Sequence, residues 1–280
     1  MDRRPPGDHT SIVPETGRTP GGELDEQASR SPDDDLAKPW DRGGLSAGRA
    51  FAIFLAYIAV QLVAGAGVGF VYGFWSVASG AGFPEDIPGV WLLAGGAAGV
   101  IAGGVAIFVM TRKTLMKSSA GLSSIGWKSA SNRDVGTGVV IGLALPLLVL
   151  PAVTAIFPPP SEDALSPLAR AASGSGAAQV ILVVLALLLA PPIEEFLFRG
   201  VMLSGFSRSW GRAAAGMGVT ALFALAHLVE MANYVPALLV IAIVGAAALA
   251  MRWRSGSLIP AIAVHGTYNL TMVVFFLVFA

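Results

Sequence analysis

The 280-residue chain contains no cysteine. That excludes disulfides, thiolate metal sites, a cysteine nucleophile and lipid attachment through a thiol. Charge is scarce as well. Asp, Glu, Lys and Arg make up 13% of the sequence, and nearly half of those residues fall within the first 45 positions. The rest of the chain is therefore almost free of charge. With 54% hydrophobic residues and a mean hydropathy of +0.69, it is too apolar for a soluble domain of ordinary size. Only three histidines are present, no HExxH string occurs and no aspartate lies within an apolar run, so a zinc-binding HExxH helix and an aspartyl dyad are both excluded.

Residues 1–45 are rich in Pro, Gly, Asp, Glu, Arg and Ser and almost lack large apolar side chains. Such a segment cannot bury enough surface to offset chain entropy, which predicts a disordered tail. The first apolar run begins near Phe51, behind Asp33, Asp34 and Asp35, an order that predicts no cleaved secretory signal.

The remainder predicts an all-α, polytopic helical transmembrane bundle of about seven spans. Apolar segments of roughly the required 20 residues fall near 47–76, 88–111, 135–157, 177–200, 213–229, 235–251 and 257–279, the fifth and sixth being short. Arg112, Lys113, Lys117, Lys128 and Arg133 follow the second segment, Arg208 and Arg212 the fourth, and Arg252 and Arg254 the sixth. By the positive-inside rule these loops are cytoplasmic. The alternate loops hold Glu85, Asp86, Glu162, Asp163 and Glu230 against Arg170 alone, which places the tail inside and the C-terminus outside. The chain thus divides into a cytoplasmic tail (1–45), an N-terminal region of about three spans (46–175) and a C-terminal core of about four (176–280). The Ala- and Gly-rich composition suits a bacterial plasma membrane. Membrane lipid is the expected surrounding partner, and no nucleic-acid partner is expected. Gly65, Gly69 and Gly73 in the first span and Gly95, Gly99 and Gly103 in the second repeat at helical spacing, the pattern of close helix packing.

An ionisable group inside hydrocarbon is costly unless paired, so such groups are functional candidates. The fourth segment contains Pro191-Pro192 followed by Glu194, Glu195 and Arg199. In a helix Glu195 and Arg199 share a face while Glu194 points about 100° away from Glu195, so one carboxylate is paired and its neighbour free. The two prolines remove backbone donors and kink or interrupt the helix, which is tolerated at membrane depth only beside a protein-lined or watery cavity. His9 lies in the tail. His227 follows Phe223 by four residues, and His265 precedes Asn269 by four on one helical face.

A carboxylate and an imidazole in a dry cavity activate water by general-base catalysis. A neutral His265 with the Asn269 amide supplies donors to a developing oxyanion. The same Glu194, His227 and His265 equally suit a divalent metal such as zinc with one open position, and the residues alone do not choose between the two chemistries.

The strings EEFLFR (Glu194–Arg199), FALAH (Phe223–His227) and HGTYN (His265–Asn269) resemble, in order, the EExxxR, FxxxH and HxxxN motifs of the CPBP intramembrane proteases. That family comprises CAAX prenyl endopeptidases and bacteriocin-immunity (Abi) proteins. The resemblance covers roughly residues 176–279. It implies an intramembrane endopeptidase, of metallo- or glutamate type, acting on a peptide or membrane-protein substrate. Glu194 and His227 would activate water, His265 and Asn269 would stabilise the oxyanion, and Glu195, Arg199 and Phe223 would support them. Rival readings are a proton-coupled carrier using the same residues as a relay and a catalytically silent scaffold or immunity protein. Against the carrier, the first three spans are read as holding no matching charged or proline-broken segment. A serine protease would have to use Ser175 in Gly174-Ser175-Gly176, a stretch read as a flexible connection.

Overall fold

In lipid a backbone without internal partners has no water to turn to, so apolar runs must close their hydrogen bonds as helices. The computed structural model describes Met1 and residues 45–116, 121–159 and 166–279, and among these it holds helices and no strand. The predicted disordered tail, Leu45 and Met1 apart, lies outside the described residues.

The helices are α1 (Ala47–Ala78), α2 (Gly89–Leu115), α3 (Asn132–Ile156), the short α4 (Pro167–Ala172), the long α5 (Gly176–Trp210), α6 (Arg212–Ala226), α7 (Ala237–Ser255) and α8 (Ile259–Phe279). Six of them, α1, α2, α3, α5, α7 and α8, are long and apolar enough to cross a membrane. The chain is a multi-pass membrane protein. The segment expected at 213–229 is α6, whose 15 residues span about 22 Å at 1.5 Å per residue, less than the hydrocarbon thickness. The segment expected at 177–200 continues ten residues further, to Trp210. Its last stretch, Leu203–Trp210, is polar on one side, with Ser207, Arg208 and Ser209 exposed or half-buried while Leu203 and Phe206 are buried. Gly211, at φ 75°, then turns the chain into α6.

The glycine stripes behave as packing surfaces, unevenly. On α2 a Cβ added at Gly95 would stand 3.3 Å from the Gly65 carbonyl oxygen, one at Gly99 3.0 Å from the Gln61 carbonyl oxygen, and one at Gly103 2.7 Å from the Tyr57 ring. On α1 only Gly65 meets α2, and Gly73 faces open space. The absence of side chains on α2 therefore lets α1 approach along the turns that carry Tyr57 and Gln61.

α3 packs on α8 through Gly138 and Gly142, where added Cβ atoms would collide with the Pro260 carbonyl and the Thr267 hydroxyl. The same helix corrects one expectation. Pro146 and Pro151 both lie inside α3, so a proline-bearing span does occur among the first three. The prolines add no charge to it, because the acidic residue of α3, Asp134, sits in the first turn and pairs with Arg254 at 3.0 Å.

One end of the bundle is closed by the turn Gly121–Ile125. Ile125 is fully buried, Gly126 accepts the Leu258 amide at 2.9 Å, and the Ser257 hydroxyl donates to the Lys128 carbonyl at 2.6 Å. The buried Arg252 donates to the Arg199 carbonyl at 3.2 Å.

Candidate active site

Polar atoms converge where α5 departs from regular α-helix. Residues Leu185–Leu189 and Phe196–Met202 are π-helical, flanking an α-helical turn at Ala190–Glu195. The first deviation lies directly before Pro191-Pro192. In the π-register Ala190 donates to Leu185, five residues back, so the next carbonyl, Ala186, would take its hydrogen from residue 191, and proline has none. The Asn269 side-chain amide fills that vacancy, donating to the Ala186 carbonyl at 2.9 Å. Of the kink or interruption expected at Pro191-Pro192, no interruption occurs: the helix continues through a widened turn, and α8 satisfies the carbonyl released. π-segments of this kind occur frequently at functional sites.

Beyond the prolines the two adjacent carboxylates part company. Glu195 is fully buried, and its Oε1 accepts from Arg199 Nη1 at 3.0 Å and from His265 Nδ1 at 3.0 Å. Arg199, also fully buried, donates to the Gly245 carbonyl at 2.9 Å and lies 4.2 Å from the centre of the Phe223 ring. Charges this deep persist only with such multiple partners. Glu194, one residue earlier, faces a cavity of about 700 Å3. Its Oε2 is buried without a hydrogen-bond partner and lies 3.8 Å from His227 Nε2 and 3.9 Å from His265 Nε2.

Each imidazole is fixed by its far nitrogen. His227, at the end of α6, has Nδ1 2.8 Å from the Phe223 carbonyl. That oxygen can only accept, so Nδ1 carries the hydrogen and Nε2 of the neutral ring turns a lone pair toward Glu194. The same reasoning applies to His265, whose Nδ1 donates to Glu195. Phe223 holds both rings, with centroids 4.8 Å from His227 and 5.6 Å, edge-on, from His265. This is the physical content of the spacing between Phe223 and His227: one residue gives its carbonyl to the base and its ring to the rest of the cluster.

The residues of the three motifs thus meet at one place, with two differences in role. His265, its Nδ1 hydrogen given to Glu195, presents a lone pair and not a donor at Nε2 of the neutral ring. Asn269 lines the cavity, but one of its two amide hydrogens is committed to Ala186. Ser175 caps the start of α5 by accepting from the Ala178 amide at 3.2 Å, so it is a helix cap rather than a flexible connector, and it does not line the cavity. Sequence reasoning missed Tyr57 and Gln61, which line the same cavity from α1. The signal for them was indirect: the α2 glycines against which they pack.

Glu194 and the two Nε2 atoms are the right donor types for zinc. Ligands about 2.0–2.2 Å from a tetrahedral ion stand roughly 3.3–3.5 Å apart, closer than the separations of 3.8 and 3.9 Å found here. Among the described residues no group of three His, Cys, Asp or Glu side chains is spaced to hold a metal ion. As they stand, these residues do not fit one.

At the mouth of the cavity Glu230 follows His227 by three residues and is hydrogen-bonded to the Ser166 side chain and the Leu168 backbone. Burial pushes its carboxyl above the ordinary range, and these hydrogen bonds, with the nearby His227, offset part of that rise.

Comparison with known proteins agrees with the motifs. Residues 176–271 match the family described as type II CAAX prenyl endopeptidase Rce1-like. The match begins with α5 and ends two residues past Asn269. The CPBP-type resemblance carried by EEFLFR, FALAH and HGTYN is thereby shown for this region. No curated protein and no solved structure matches the chain.

Proposed function

With the Rce1-like match over residues 176–271 as premise, we propose that the chain is an intramembrane endopeptidase that hydrolyses a peptide bond through water activated by Glu194 and His227. The observation that carries this reading is the state of Glu194 Oε2: buried, unpartnered, and approached by two imidazole nitrogens whose outer partners are already fixed. A separation of 3.8 Å leaves a water within hydrogen-bond reach of both Glu194 Oε2 and His227 Nε2, the geometry a general base requires. Glu195 is less suited to that part: its Oε2 also lacks a hydrogen-bond partner, but the side chain is fully buried, does not line the cavity, and its Oε1 already serves Arg199 and His265.

In the reaction the water oxygen bonds to the substrate carbonyl carbon and its proton passes to Glu194. The displaced π pair resides on the carbonyl oxygen, facing the remaining N–H of Asn269 and the His265 ring, whose Nε2 donates only as the imidazolium. Collapse expels the amine, which recovers the proton from Glu194. The apolar lining along α8, from Tyr268 through Met272, Val273 and Phe276 to Phe279, suits a hydrophobic peptide or membrane-protein segment in CAAX-protease fashion. None of these steps calls for a metal. The tail is assigned to the cytoplasm and the C-terminus to the outside of a bacterial plasma membrane, following the Arg and Lys distribution, an assignment in which α6 together with the chain up to Pro236 makes a seventh crossing.

The test is cleavage of a quenched fluorescent peptide panel by the purified protein in detergent. Wild type, Glu194→Ala and His227→Ala are compared with and without a chelator. The reading requires wild-type cleavage that both substitutions abolish. Absence of wild-type cleavage, or cleavage indifferent to both, supports the carrier or the scaffold instead. Loss on chelation assigns the chemistry to a metalloenzyme.

A further inference from the structure

The oxyanion wall is short of donors. His265 Nδ1 donates to Glu195, so Nε2 of the neutral ring offers a lone pair and donates only as imidazolium. Asn269 has given one of its two hydrogens to Ala186. A tetrahedral oxyanion in a low-dielectric cavity is stabilised in proportion to the fixed donors aimed at it, and acyl-transfer sites commonly supply two.

α1 brings a further donor to the same cavity. Tyr57 is buried at 4% exposure and lines the cavity together with Glu194, His227 and His265. Its hydroxyl is hydrogen-bonded to the Gln61 side chain, one helical turn on, and lies within electrostatic range of Glu194. Its ring is seated on Gly103, and the Gln61 backbone on Gly99. Larger residues at those two α2 positions would push α1 away from the cavity. A tyrosine buried in lipid-facing helices keeps its hydroxyl only where a partner exists. Gln61 answers the hydroxyl from one side and leaves its other side to the cavity.

We propose that Tyr57, held by Gln61, is a catalytic residue of this site and donates a hydrogen bond to the oxyanion of the tetrahedral intermediate. The proposal rests on the protease reading above and extends the site beyond the Rce1-like region to the first span. Tyr57 keeps its proton throughout. Water adds to the carbonyl carbon, Glu194 holds the proton, the amine leaves with it, and the phenol oxygen only orients its O–H toward the negative oxygen. The phenol donates whatever the protonation state of His265, which distinguishes it from the imidazole.

The experiment compares wild type with Tyr57→Phe and Gln61→Leu. Phenylalanine preserves the ring packed on Gly103, so melting temperature in detergent should be unchanged. In the peptide assay Tyr57→Phe should lower kcat by about 10²-fold, the usual loss for one oxyanion donor, with KM within about threefold of wild type. A change confined to KM would not be expected of a transition-state contact. Gln61→Leu, which frees the hydroxyl without removing it, should cost less. A second readout is binding of an apolar tripeptide phosphonate, a stable tetrahedral anion, against the parent amide. Tyr57→Phe should weaken the phosphonate by a similar factor and leave the amide unaffected.

Wild-type kcat retained within about threefold in Tyr57→Phe, or equal loss of phosphonate and amide, overturns the role of Tyr57 while leaving Glu194-dependent proteolysis standing. A wild type that neither cleaves the peptides nor binds the phosphonate overturns both readings together.

Discussion

The two faces of α5 around Glu194 and Glu195 teach opposite lessons from one sequence motif. On one side the helix borders a cavity, and Glu194 retains an unpartnered oxygen there. On the other, Phe196–Met202 is buried throughout, and Glu195 and Arg199 are each at 0% exposure among Phe223, Gly245 and His265. Two identical side chains one residue apart therefore do different work. The buried one is a structural anion whose partners fix the shape of the site. Its neighbour lines the cavity because the helix turns it by about 100°.

That contrast is broken most severely by exchanging the carboxylates in turn. Glu194→Gln should reduce kcat by about 10²- to 10⁴-fold, the range for loss of a general base, with an unchanged melting temperature. Glu195→Ala should instead destabilise the fold by about 3–5 kcal/mol, the cost of removing one partner from a buried ion pair, read as a lowered melting temperature or lost folded yield. Equal thermal effects from the two would erase the distinction.

A milder test acts from α2. Gly103→Leu places side-chain atoms where the Tyr57 ring now lies, 2.7 Å from the position of a Cβ. Overpacking of this kind costs about 1–3 kcal/mol, and the displaced tyrosine should lower kcat as well. The same change at Gly73, which faces open space, should do neither. Smallest of all is the effect at the mouth. Burial raises the Glu230 carboxyl above its ordinary value of 4.5, so the folded state holds that proton more tightly than the unfolded chain. Its contribution to stability is complete below pH 4.5 and declines as pH rises through the elevated folded value. Glu230→Gln should remove that decline, flattening the melting temperature over this interval relative to wild type.

Much of this was legible in the residues. Low charge and long apolar runs dictated a helical membrane bundle, and the ordered strings at Glu194, Phe223 and His265 pointed to one site because ionisable groups do not lie in lipid without reason. The four-residue spacings foretold that Glu195 would meet Arg199 and that Phe223 would accompany His227, since i and i+4 share a helical face. The π-register of α5 was not legible. Prolines signal disturbance but not whether a helix breaks or widens, and the outcome was decided by Asn269 reaching the Ala186 carbonyl from 83 residues away.

Nor could the sequence show how long α5 runs or that α6 is too short to fill the bilayer, because apolar composition does not mark where a helix stops. The sequence by itself determined the solvent and the helices, which follow from local composition and period, and the candidate ionisable groups, which stand out against an apolar background. The tertiary structure alone decided that Tyr57 and Gln61 enter the same cavity as Glu194. That depends on how closely α1 approaches α2, a distance allowed by the α2 glycines, whose effect appears only on contact.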